Sequence, residues 1–219
     1  MKQKDLSETI GSLERQLSLP PGFLLDLRKE DDWSFIIKAH AFLEAVLSHV
    51  LAEASGKREL EGVLSRLEMS DTAKGKLAFA QALGVLEEDE RRFIKRLSEL
   101  RNMLVHNISN VGFNMSKYVN QLDSNQRTSF VEAFKYALDP EDKGFQRLIG
   151  TDVRGRVLKD PQGAIFMGVV LITLALCDKK EVAQREEKRI AKMKTLVERL
   201  RGMYAKRQTE HSKEAAPQS

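Results

Sequence analysis

Leu100-Arg101-Asn102-Met103-Leu104-Val105-His106-Asn107 closes a strongly helical segment that begins near Glu87. Phe93, Leu97, Leu100 and Leu104 recur at three-and-four spacing, so one face of that segment belongs to a core. Arg101 falls inside the same stripe, about 40° around the helix from Leu97. An arginine in such a place is expected to be paired. Glu44, amid apolar neighbours, is read either as its partner across the core or as a residue of the solvent edge. Asn102 adds a dipolar amide and His106 a titratable imidazole. On an unbroken helix Arg101 and His106 point about 140° apart. They share a site only where the helix distorts or ends at His106, or where two subunits contribute.

Working outward, the acids Glu87, Glu88, Asp89 and Glu90 complement the positive end of this helix. Upstream, Asp31 or Asp32 caps a helix that runs to about Ser55, before Gly56. Its wide apolar surface includes Trp33, Ile36, Phe42, Leu43, Val46 and Val50, which places it at the centre of a bundle. Glu59–Leu67 reads as a short helix. Ser70 or Asp71 is expected to cap another that ends at Leu83-Gly84. Downstream, Asn114–Leu122 and Ser124–Leu138 read as helices and Asp139–Gly144 as a loop. Phe145–Asp160, with Gly150, Gly155, Arg147, Arg154 and Arg156, is ambiguous in its pattern, a mobile loop beside the site being one reading. Ala164–Cys177 is a continuous apolar run, shorter than the ~18 residues a membrane span needs, and is read as a buried helix.

Strand-like alternation is almost absent, prolines number only 5, and 31% of the 219 residues are charged. The class that follows is all-α. Three segments are expected: an N-terminal helical arm over residues 1–28, a helical domain over 29–207 that includes a long C-terminal helix, and a disordered tail over 208–219. In the arm, Asp5–Leu17 reads as a helix stopped by Pro20-Pro21-Gly22. In the C-terminal helix, Met193, Val197, Leu200 and Tyr204 form a coiled-coil-like seam.

The net charge of +4 is modest, but residues 179–207 hold eleven Lys or Arg against four Asp or Glu. Lys192, Lys194, Arg199 and Arg201 are therefore the candidate RNA-binding residues, gripping phosphates without reading sequence. The other reading of that helix is a solvated face salted by Glu181, Glu186, Glu187 and Glu198. The opening residues carry charge rather than an apolar leader, and Cys177 has no partner for an internal disulfide. A cytoplasmic protein with no membrane attachment is expected.

Several chemistries find no support. No Gly-rich phosphate loop is present, and Cys177 lies in an apolar run, poorly placed as a nucleophile. The four histidines lack close metal-ligand spacing, and His40 and His49 read as polar-face residues. No metal or cofactor is implied. No helix-turn-helix is evident. Arg101, Asn102 and His106 are the candidate catalytic set; the other reading is that Arg101 and His106 tie the helix end to neighbouring carboxylates and carbonyls. His106 would act as general base or acid, Arg101 would clamp a phosphate, and Asn102 would orient either group.

The stretch Arg101-Asn102-Met103-Leu104-Val105-His106 resembles the R-polar-x-x-x-H motif of the HEPN superfamily, a group of all-helical nucleotide- and RNA-associated proteins. Ser34-Phe35-Ile36-Ile37 followed by Phe42-Leu43-Glu44-Ala45 resembles an early core helix of the mannitol-operon repressor branch. Gly75-Lys76-Leu77 through Ala82-Leu83-Gly84-Val85-Leu86 resembles that branch's second signature. The similarity spans about residues 32–107. It implies a HEPN-like bundle and a homodimer that pairs the Arg101/His106 helices. It further implies a negative regulator of gene expression, acting through a protein or RNA partner. The alternative it implies is a metal-independent endoribonuclease, such as a toxin or defence component, that uses Arg101, Asn102 and His106.

Overall fold

The computed structural model describes residues 3–136, 138, 152–179 and 193. The described residues are helical throughout, with turns and short 3-10 segments between helices and no strand among them. In order they are α1 (Gln3–Gln16), α2 (Phe23–Leu27), α3 (Asp32–Ala54), α4 (Glu61–Leu64), α5 (Lys76–Ala82), α6 (Glu88–Val105), α7 (Met115–Gln121), α8 (Ser124–Phe134), α9 (Val153–Lys159) and α10 (Pro161–Lys179). Short 3-10 helices cover Arg58–Leu60 and Ile108–Gly112. The chain falls into two compact units, Met1–Lys179 and Lys180–Ser219. Of the second, Met193 alone is described; it is helical and exposed. Lys192, Lys194, Arg199 and Arg201 lie outside the described residues, as do the rest of the seam and the tail.

In the first unit, α3 is the axis. Asp31 caps it, its carboxylate accepting from the Trp33 and Ser34 amides at 3.0 Å. Buried positions run all round it, from Phe35 and Ile36 to Val50 and Leu51. α2, α4, α5 and α6 pack on it. The arm folds back onto the same core: Ile10 and Leu13 are buried. The Glu14 carboxylate accepts from the Gly22 and Leu24 amides, both at 2.8 Å, so it closes the corner made by Pro20 and Pro21.

α6 starts on a reciprocal cap. The Glu87 side chain accepts from the Glu90 amide, and the Glu90 side chain accepts from the Glu87 amide at 2.7 Å. Its inner face carries Phe93, Leu97, Leu100 and Leu104, all buried. Phe93 meets Phe134 of α8 edge-on, with ring centroids 5.2 Å apart. α10 approaches on another side through Gly168. A Cβ there would lie 2.1 Å from the Phe93 ring, so the close contact requires glycine. Lys179 at the end of α10 donates to the Val85 carbonyl at 2.8 Å and pairs with Glu90 at 3.4 Å. α3 and α10 are long and apolar enough to cross a membrane by length and composition, and most of each is buried within this bundle.

Two segments differ from the sequence reading. α5 begins at Lys76, not near Ser70. Asp71 instead closes a single turn on the amides of Ala73 and Lys74, and the chain then re-enters through Gly75. A Cβ on Gly75 would lie 2.3 Å from the Glu68 carbonyl oxygen. The bare backbone is what lets the Lys76 amide reach that carbonyl, at 2.9 Å. The second difference is Val153–Lys159. It is a helix, capped by Asp152, where the glycines and arginines leave the sequence pattern ambiguous, with a loop as one reading. Residues 145–151 lie outside the described residues.

Candidate functional site

The Arg101 segment looks inward onto a polar seam between α3, α5 and α6. Ser98, one turn before Arg101, donates to the Ile94 carbonyl at 2.9 Å. Its single proton is thus committed, so the 3.1 Å contact with His40 Nε2 has the imidazole as donor. His40 then carries its proton on Nε2 and turns Nδ1 toward Glu44, 3.8 Å away. Glu44 does not receive Arg101. It accepts from Lys76 Nζ at 2.6 Å. Lys76 is fully buried, and it also donates to the Leu67 carbonyl at 2.7 Å and the Ser65 carbonyl at 3.2 Å. All three ammonium donors are thereby used.

Burial lowers the pKa of His40 from its ordinary value. Glu44 opposes this, while the Arg101 and Lys76 cations reinforce it. His40 is a neutral, buried hydrogen-bonded residue, not the polar-face residue its mid-helix position implied.

Arg101 itself is half-buried. Its Nη1 donates to the Asn102 side-chain oxygen at 3.0 Å, and its charge reaches His40. Of the three candidate catalytic residues, Arg101 and Asn102 are therefore joined. His106 stands apart. α6 runs undistorted to Val105 and His106 caps it, its amide bonding the Asn102 carbonyl at 3.3 Å. The imidazole is exposed and has no hydrogen-bond partner among the described residues. One chain brings together two thirds of the expected triad and presents the third to solvent.

Beyond His106 the surface is apolar. Met103 and Val105 are more than a third exposed, Val111 more than half, and Ile108 is 90% exposed. The 3-10 helix that carries Ile108 and Val111 is fastened at both ends. Asn110 donates back to the Met103 carbonyl at 2.8 Å, and the Met115 amide, at the start of α7, bonds the Asp32 carboxylate at 2.8 Å.

Sequence reasoning missed His40, Lys76 and Ser98 as one network. The signal available was the His40/Glu44 spacing of one helical turn and a serine one turn before Arg101 on the inward stripe. Among the described residues no three His, Cys, Asp or Glu side chains gather as a metal would need. No protein-family model matches this chain, and no curated protein or solved structure matches it either.

Proposed function

We propose that this protein is a HEPN-like negative regulator of the mannitol-repressor type, a cytoplasmic homodimer that works by docking a protein or RNA partner. The observation that carries the reading is the end of α6. Arg101 and Asn102 are turned in and bonded to each other, while His106 stands among exposed Met103, Val105, Ile108 and Val111. Exposed apolar side chains gathered on a fastened segment mark a surface for association rather than a reaction cleft. A second copy docked there would cover them and set the two His106 side chains near the dimer axis.

A second reading, a metal-independent endoribonuclease, is favoured by one observation: the His106 imidazole is open to solvent and uncommitted among the described residues. In a dimer it would act as general base or acid, with a guanidinium clamping the scissile phosphate. One experiment divides the two. Labelled RNA is incubated with purified protein in EDTA, wild type beside His106→Ala. The regulator leaves RNA intact in both. The nuclease cuts it, and His106→Ala loses about 10²–10⁴-fold of the rate while still dimerising.

A further inference from the structure

α9 and α10 meet at an elbow, and against it Leu6 of α1 and Leu138 enclose a cleft of about 700 Å³. That is the size of a small-molecule site. None of Arg101, Asn102 or His106 lines it. Its apolar surface comes from Leu6, Leu138, Phe166 and Met167. Among the described residues its other lining side chains that carry polar atoms are the charged Arg28, Arg156, Lys159 and Asp160. Against the apolar side chains an alkyl chain needs no hydrogen-bond partner.

The charges are unequal. Asp160 is already spent: both its oxygens take Arg28 at 3.1 Å, and one of them caps α10 by accepting from the Gly163 amide at 2.9 Å. Arg28 is further held by Gln162. Arg156 and Lys159, one turn apart on α9, have no ion-pair partner among the described residues. The cleft thus joins an apolar floor to two uncommitted cations.

We propose that this cleft binds a free long-chain carboxylate, its tail on Leu6, Leu138, Phe166 and Met167 and its head on Arg156 and Lys159. The assignment goes beyond the regulatory reading and does not depend on it. Two cations on one helical face match one carboxylate through charge-assisted hydrogen bonds.

The test is calorimetric titration of the full chain with dodecanoate below its micelle threshold. Dodecyltrimethylammonium, with the same tail and the opposite charge, runs in parallel. Expected are one dodecanoate per chain and a dodecyltrimethylammonium affinity at least about tenfold weaker. Arg156 and Lys159 are exposed, so the double variant Arg156→Glu/Lys159→Glu keeps the core. It should lose about tenfold or more for dodecanoate. Met167→Trp, which fills the cleft, should abolish binding with a preserved circular dichroism spectrum. Equal binding of both amphiphiles overturns the proposal, as does wild-type dodecanoate affinity in the double variant. Binding to phosphatidylglycerol vesicles without binding free dodecanoate also overturns it, since the ligand would then be a lipid surface.

Discussion

The two halves of the polar seam along α6 are built on opposite terms. The inner half is closed: Lys76 spends every donor on Glu44 and two carbonyls, and His40 is buried and bonded to Ser98. The outer half is open: Arg101 has a neighbouring amide for company, and His106 has water. Buried polar groups that are fully satisfied hold a structure in place, and exposed ones with spare capacity are available to a partner. Residues one or two turns apart on one helix thus do different work, and substitutions should separate them.

The largest effect should come from Lys76→Met. It strands Glu44 and two carbonyls that the ammonium now satisfies. Removing one partner of a buried pair costs about 3–5 kcal/mol; Glu44 retains some access to water, which places this one toward about 3. Urea denaturation should show that loss, and a variant within 1 kcal/mol of wild type (roughly the cost of an ordinary substitution) would mean the inner half is not a scaffold.

Next is a pH effect. His40 is depressed in the folded chain, so below its ordinary value of 6.5 the unfolded chain binds a proton that the folded chain refuses. Stability is therefore complete above pH 6.5 and falls as the pH drops from there toward the depressed value. His40→Gln should flatten that slope in denaturation curves taken at several pH values. An unchanged slope would assign it to other groups.

The outer half should respond in association, with little change in stability. Ile108→Glu with Val111→Glu should turn a dimer into a monomer in light scattering while the melting temperature holds. A wild type that is already monomeric would remove the dimer from the reading. The smallest expected change is the stability of His106→Ala, within about 0.5 kcal/mol because the side chain is exposed and touches nothing that needs it.

The same contrast explains what was readable beforehand. α6 was legible from Glu87 to His106 because its acids, its stripe and its end are all local signals. The burial of α3 and of Ala164–Cys177 followed from apolar residues on every side. Lys76 was opaque because its partners, Glu44 and the Ser65 and Leu67 carbonyls, are assembled by a chain reversal that has no periodicity. Glu44 was readable either as a partner of Arg101 or as a solvent-edge residue; it is half-buried, and its cation comes from α5. The late start of α5 was hidden for a related reason: Asp71 is a good cap, and the sequence does not say that its turn closes after three residues.

The two fastenings of the Ile108–Gly112 segment carry a consequence for speed. With Asn110 bound to the Met103 carbonyl and the Met115 amide bound to Asp32, Ile108 and Val111 are held out in a fixed pose before anything arrives. A partner meets a surface already in its bound shape and surrenders little conformational entropy in ordering it. Encounter then converts to complex without a slow rearrangement, and affinity for this face should be set by how fast the partner leaves.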